Sequence, residues 1–148
     1  MDLALLDTNV LVHAIYEDSP LYDAALTLVE RGLGEPNRYC ISPQNLIEFA
    51  AVATRARFVQ PALRPEEAAA RIGILYRSRR LKKLYPRRAT ALRAAAHGRT
   101  LGIAGSAWYD LYLATTMQEA GVRVIITEDV SDFRKFPFVT ARRIQDEV

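Results

Sequence analysis

Apolar residues along this chain occur in two patterns, short uninterrupted runs and longer segments with helical spacing. The runs at residues 3–6, 38–42 and 122–127 predict short buried strands. Two further short strands are expected at residues 81–84 and 138–141. Five strands distributed along the whole chain predict that a sheet forms the centre of the fold.

Between the strands, apolar residues recur at the three- and four-residue spacing of one helix face. The predicted helices cover residues 20–33, 43–56, 65–77, 87–97 and the segment from Ser106 to just before Gly121. Ser19-Pro20 and Ser42-Pro43 mark two helix starts, because serine caps free N–H groups and proline fits the first helical position. Strands that alternate with helices favour right-handed crossovers and parallel pairing. The predicted fold is a three-layer α/β/α sandwich with a central parallel sheet.

Length and composition favour a single domain over residues 1–148. The chain has 148 residues, half of them apolar, and its 20 Lys and Arg against 17 Asp and Glu give a net charge of +3. A chain of this kind can offset its ordering entropy by burial, so disorder is not expected. No apolar run is long enough for a membrane span, no secretory signal is visible, and Cys40 has no second cysteine with which to pair. We therefore expect a cytoplasmic protein without membrane contact.

Four carboxylates occupy positions where the chain is otherwise uncharged or ends a strand. Asp7, Glu48 and Asp110 are each the only charged residue in a long apolar stretch, and Asp129 follows the predicted strand VIIT. A buried ionised carboxylate is costly unless it is paired or bound to a cation. Asp7 and Asp129 also lie at the carboxyl ends of strands, where open parallel sheets bind ligands. If the four converge, their oxygen atoms would suit Mg²⁺ or Mn²⁺.

Each of these acids also has a purely structural interpretation. Asp7 would cap a helix over residues 9–16, and Glu48 would pair with a nearby arginine. Asp110 would bind a helix terminus, and Asp129 would be one of several surface acids. The four positions taken together favour a shared site.

The motifs around these acids resemble those of the PIN domain, in particular the toxin ribonucleases of VapBC toxin–antitoxin pairs. The similar segments are LALLDTNVLV, SPQNLIEFAAV, YDLYLATTMQEAGV and IITEDVSDF, which occur in the family's order and cover essentially the whole chain. The resemblance implies catalytic metal ligands at Asp7, Glu48, Asp110 and Asp129, and supporting groups at Asn9, Thr127 and Asp132.

The same resemblance implies an activity and partners. We expect Mg²⁺- or Mn²⁺-dependent hydrolysis of RNA by a metal-activated water, with a 5′-phosphate and a 3′-hydroxyl on the products. A cognate antitoxin protein and a homodimer are also implied. Asp129 is preferred over the adjacent Glu128 as the fourth ligand, because its spacing from Thr127 matches the family pattern.

A basic segment, RSRRLKKLYPRR at residues 77–88, is the second candidate functional site, and it would bind RNA. Such a run can neutralise RNA phosphates, and Tyr85 could stack on an unpaired base. The RNA contacts predicted here are Arg79, Arg80, Lys82 and Lys83. The alternative is a solvated face with a strand edge protected by lysine.

A non-catalytic module of doubly wound fold is the alternative to a nuclease. It would be either a receiver domain with an acidic pocket or a domain that only binds RNA. A receiver would pair acids early in the chain, whereas Asp7 is followed by Thr8 and Asn9. His13 is expected only to pack on the first helix.

Overall fold

A computed structural model describes residues 2–148 and contains a sheet of five parallel strands. The strands are β1 (Ala4–Leu6), β2 (Tyr39–Ile41), β3 (Lys82–Lys83), β4 (Val124–Ile126) and β5 (Thr140–Arg142), in the order β3-β2-β1-β4-β5. The three inner strands are buried at every position. Strands covered on both faces read as continuous apolar runs, which explains why the sequence pattern identified them.

Helices cover both faces of the sheet. They are α1 (Thr8–His13), α2 (Tyr22–Gly34), α3 (Pro43–Ala53), α4 (Pro65–Arg77), α5 (Thr90–Leu101), α6 (Ala107–Glu119) and α7 (Val130–Phe133), and a 3₁₀ helix covers Ile144–Glu147. Helices α1 to α4 pack on the face that presents Leu6 and Ile41. Helices α5 to α7 pack on the face that presents Leu5 and Cys40. The predicted α/β/α sandwich with a parallel sheet is confirmed.

Local hydrogen bonds determine where the helices begin and end. The predicted cap at Ser42 is present: its Oγ accepts from the Asn45 main-chain N–H at 3.3 Å, and the Asn45 side chain accepts from the Ser42 N–H at 2.9 Å. Helix α2 begins at Tyr22 rather than at residue 20, because Ser19 Oγ accepts from the Leu21 N–H and closes a turn before the helix.

Two other predicted helix boundaries also shift. Helix α5 starts three residues later than expected, because Thr90 Oγ1 accepts from the Arg87 N–H at 2.7 Å and stabilises a turn there. Helix α3 ends at Ala53 rather than at residue 56. Helix α4 covers its predicted range, and no helix within residues 2–148 is long and apolar enough to cross a membrane.

Helices α5 and α6 approach closely at Gly98. The Trp108 ring occupies the space that a Cβ at Gly98 would take. This contact anchors the start of α6, the helix that carries Asp110.

The topology creates a crevice between β1 and β4. These strands are neighbours in the sheet, yet β1 leads into α1 on one face and β4 leads into α7 on the other. Ligands of open parallel sheets bind at such a switch point, beyond the carboxyl ends of the strands.

Candidate functional site

A pocket of about 390 Å³ lies at the carboxyl ends of β1 and β4. Its lining comprises Asp7, Thr8, Asn9, Val12, His13, Glu48, Ala51, Val52, Asp110 and Asp129. The structure therefore brings together the four acids selected from the sequence. They come from the end of β1, from α3, from α6 and from the end of β4.

Asp7 is both a helix cap and a wall of this pocket. Its Oδ1 accepts from the Thr8 main-chain N–H at 2.8 Å, which caps α1. Its Oδ2 accepts from the Thr127 hydroxyl at 2.7 Å. The capping interpretation of Asp7 is thus correct, and it coexists with the convergence of the acids.

Burial changes the protonation of Asp7. The side chain is only 7% exposed, and loss of hydration raises its pKa to about 6. The hydrogen bonds from Thr127 and Thr8 lower the pKa, whereas the negative charges of Asp129 and Glu48 raise it. The ionised form of Asp7 is therefore destabilised in the pocket by burial and by the neighbouring negative charges.

Glu48 is oriented by hydrogen bonds and not by an arginine. Its Oε2 accepts from Thr8 Oγ1 at 3.0 Å, and its Oε1 accepts from Gln44 Nε2 at 2.9 Å. The same Gln44 nitrogen donates to the Tyr109 carbonyl at 3.1 Å, which links α3 to α6. The ion pairs within residues 2–148 all involve other acids, so the arginine interpretation of Glu48 is wrong.

Asp110 is the least satisfied of the four acids. It lies in the first turn of α6, and its side chain makes no hydrogen bond within the part of the chain that the structure describes. Burial and, to a smaller extent, the negative charges of Asp7, Asp132, Glu48 and Asp129 together raise its pKa to about 7. A carboxylate in this position gains most from a cation.

Asn9 and Thr127 connect the ends of the two strands. Asn9 Nδ2 donates to Thr127 Oγ1 at 2.9 Å and to Asp129 Oδ2 at 3.2 Å. The Asp129 N–H in turn donates to Thr127 Oγ1 at 3.0 Å. Asn9 and Thr127 are therefore placed to orient Asp7 and Asp129.

Glu128 is directed away from the pocket. Its Oε1 accepts from the Ile144 N–H at 2.9 Å, and its Oε2 lies 3.5 Å from Arg143 Nη1. Asp129 lines the pocket instead, which favours it as the fourth acid. Asp132 does not line the pocket and acts on Asp110 through its charge.

The predicted RNA contacts lie outside the pocket. The Arg80 guanidinium donates to the Gly34 carbonyl, and Lys83 Nζ donates to the carbonyls of Ser78 and Leu81. These two cations therefore bond to the main chain, although Arg80 is exposed, as Arg79 and Lys82 are. Strand β3 is an edge strand, as the interpretation of a lysine-protected edge requires.

His13 lines the pocket and was missed as a candidate. Its Nδ1 lies 2.7 Å from Ser19 Oγ. Burial lowers the pKa of the imidazole, and the charges of Glu128 and Asp129 partly oppose that effect. A polar ring in the apolar run NVLVHAIY was the available signal. His13 is the last residue of the short helix that Asp7 caps, which places both residues beside the pocket.

The donor set of the pocket suits a hard divalent cation. No Lys or Arg lines it, and the acids present carboxylate oxygens. Within residues 2–148, no group of three or more His, Cys, Asp or Glu side chains is placed to hold a metal ion. Mg²⁺ needs no such group, because it commonly binds through one or two carboxylates and retains several waters. The pocket therefore fits Mg²⁺, and Mn²⁺ with the same oxygen preference.

Comparison with known proteins gives one family and a consistent fold. The PIN domain family model matches residues 4–139. Ribonuclease VapC48 of Mycobacterium tuberculosis is 28% identical to this chain over an alignment 153 residues long. The alignment covers 92% of this chain and 93% of that protein.

Solved structures share the fold at low sequence identity. DNA-bound VapBC from Salmonella typhimurium has a TM-score of 0.67 at 22% identity, covering 97% of this chain and 99% of that one. VapC20 of M. tuberculosis, described as a sarcin-ricin loop cleaving toxin, has a TM-score of 0.61 at 14% identity, with coverage of 82% and 86%. The four acids of this chain all lie within the segment that the family model matches.

Proposed function

The chain belongs to the PIN-domain family, and on that basis we propose that it is a metal-dependent endoribonuclease. One observation carries the proposal: Asp7, Glu48, Asp110 and Asp129 converge on a pocket that contains no Lys or Arg. Four acids without a cation would repel an RNA phosphate. The same pocket becomes favourable for RNA once a divalent ion neutralises it. A domain that only binds RNA would have no need of this arrangement.

We propose that the ion is Mg²⁺ or Mn²⁺ and that it would bind among Asp7, Glu48, Asp110 and Asp129, one or two of them directly and the others through its waters. When bound, such an ion lowers the pKa of a water and offsets the charge that develops on the phosphate. Thr8 and Gln44 keep the Glu48 carboxylate in place through hydrogen bonds to both of its oxygens. The reaction would hydrolyse a phosphodiester bond to a 5′-phosphate and a 3′-hydroxyl.

Asn9 and Thr127 orient the acids at the strand ends. Each bonds to an acid of β1 or β4, so that neither Asp7 nor Asp129 can rotate without breaking a hydrogen bond. Asp110 has no such restraint within residues 2–148 and is able to adjust to the ion. The pocket thus combines fixed carboxylates with one that can adapt.

We further propose that the protein is the toxin of a toxin–antitoxin pair and forms a homodimer. Support for the antitoxin partner comes from the similar proteins, whose solved structures include VapBC complexes, and the homodimer is proposed from the family resemblance. Expression in a bacterial host should then arrest growth, and Asp7→Asn should abolish the arrest. Sedimentation should give twice the chain mass of 16.6 kDa.

Incubation of the protein with total cellular RNA tests the activity. Wild-type protein should cleave RNA in Mg²⁺, lose activity in EDTA and regain it when Mg²⁺ is restored. Asp7→Asn should be inactive under all three conditions while keeping the far-ultraviolet circular dichroism spectrum of the wild type. Cleavage in EDTA, or full cleavage by Asp7→Asn, would contradict the proposal.

A further inference from the structure

Almost every side-chain donor in the pocket already serves one of its acceptors. Thr8 Oγ1 donates to Glu48, and the Asn9 amide donates to acceptors at the ends of β1 and β4. The carboxylates themselves only accept hydrogen bonds. Among the residues that line the pocket, the imidazole of His13 is therefore the donor that remains uncommitted.

Ser19 holds the His13 ring in a defined orientation. Ser19 is buried, and its Oγ lies 2.7 Å from His13 Nδ1. The same oxygen accepts from the Leu21 N–H at 3.1 Å, and the hydroxyl is able to donate its own hydrogen to Nδ1, which is the arrangement on which the inference is built. A neutral imidazole whose Nδ1 accepts a hydrogen bond carries its own hydrogen on Nε2.

The second ring nitrogen is open to solvent. Nε2 makes no hydrogen bond within the described part of the chain. No side-chain nitrogen or oxygen among residues 2–148 is buried without a partner. Together these two facts show that Nε2 is accessible, on a residue that lines the pocket.

We propose that His13 Nε2–H binds a non-bridging oxygen of the RNA phosphate in the acidic pocket. This inference rests on the proposed ribonuclease function. A neutral donor suits the position, because a lysine there would form an ion pair with the carboxylates and compete with the divalent ion. His13 is then a substrate-binding residue, and Ser19 is the residue that positions it.

Kinetics of three variants test this assignment, with an unpaired RNA oligonucleotide as substrate. His13→Leu should lower kcat/KM about 10–100-fold, the loss expected for one hydrogen bond to a charged group, and most of it should appear in KM. His13→Gln should recover much of the loss, since its side-chain amide also donates. Ser19→Ala keeps the imidazole but releases it, so its loss should be intermediate. The Mg²⁺ concentration for half-maximal rate should stay unchanged in all three.

Two results would overturn the assignment. One is a wild-type kcat/KM for His13→Leu. The other is a shift in the Mg²⁺ half-saturation that accounts for the whole loss, because His13 would then only shape the metal site. If His13→Leu does not fold, Ser19→Ala and His13→Gln decide the question by the same criteria.

Failure of the proposed function gives a different result. Wild-type protein would then show no Mg²⁺-dependent cleavage at all. Fluorescence anisotropy with the same oligonucleotide still tests His13 in that case. A Kd at least tenfold weaker for His13→Leu, recovered by His13→Gln, supports the phosphate contact, and equal Kd values overturn it.

Discussion

Asn9 Nδ2 lies 2.9 Å from Thr127 Oγ1, and this hydrogen bond joins residues 118 positions apart at the ends of two neighbouring strands. Thr127 is fully buried, and its hydroxyl donates to Asp7 while accepting from the Asp129 N–H. One hydroxyl therefore positions the Asp7 carboxylate and the main chain of Asp129. The hydrogen bond between Asn9 and Thr127 links the ends of β1 and β4 directly, so the geometry of the pocket depends on the pairing of these two strands.

Replacement of Thr127 tests this link. Thr127→Val keeps the shape but removes the hydroxyl, so the Asp7 carboxylate and the Asn9 amide each lose a partner. We expect a loss of about 1–3 kcal/mol in the free energy of unfolding, measured by urea denaturation. The rate of RNA cleavage by Thr127→Val should also fall, because the Asp7 carboxylate is no longer held in place. Thr127→Ser retains the hydroxyl and should stay close to wild type in both measurements, and equal effects of the two variants would contradict the role of the hydroxyl.

The acids of the pocket should make the metal-free protein less stable as the pH rises. The pKa of Asp110 is about 7 in the folded chain against 3.8 for an unperturbed carboxyl group, so the folded state holds more protons between these values. Stability then falls as the pH increases through this window. Asp110→Asn removes the effect and should raise the Tm in EDTA at pH 8 by about 3 °C, since the group is only partly buried.

The same experiment has a clear internal control. At about pH 2.5, well below the 3.8 of an unperturbed carboxyl group, Asp110 is protonated in both states, and the variant and the wild type should have equal Tm values. Mg²⁺ at pH 8 should raise the Tm of the wild type more than that of Asp110→Asn, because the ion binds the folded state. Parallel pH profiles for the two proteins would contradict the electrostatic account of this pocket.

The contact between Gly98 and Trp108 should be sensitive to a single methyl group. A Cβ at Gly98 overlaps the Trp108 ring, so Gly98→Ala should lower the free energy of unfolding by about 1–3 kcal/mol. Gly34→Ala is the matched control, because a Cβ there meets nothing within 4 Å. It should leave stability unchanged or slightly raised. A Gly98→Ala variant as stable as Gly34→Ala would show that α6 can shift to make room.

The sequence was sufficient to predict the sheet and the acids of the pocket, for a simple physical reason. A charge in an apolar run such as LALLDTNVLV is costly enough to stand out, and the end of a parallel strand has a known place in the fold. Asp7 and Asp129 could be placed in this way. Glu48 and Asp110 depended on where two helices would lie, and the family resemblance supplied that information.

The interactions between the helices could not be predicted. The Gln44 contact with the Tyr109 carbonyl joins residues 65 positions apart, and no local pattern indicates it. The basic run shows a related limit. The RNA contacts of Arg80 and Lys83 stay a prediction, but charge alone did not indicate that Arg80 donates to the Gly34 carbonyl of α2 or that Lys83 donates to the Leu81 carbonyl. Such partners depend on tertiary packing, which spacing in the sequence does not report.

The dependence of RNA cleavage on Mg²⁺ in two matched variants tests the central claim most directly. Asp129→Asn removes an acid that lines the pocket, and Glu128→Gln changes its neighbour, which is directed toward Arg143 and Ile144. Single-turnover cleavage rates over a Mg²⁺ titration should fall at least about 100-fold for Asp129→Asn, the scale of losing one group that stabilises the transition state. Glu128→Gln should keep the rate and the Mg²⁺ half-saturation of the wild type. Equal rates for Asp129→Asn and wild type, or cleavage that needs no Mg²⁺, would contradict the account.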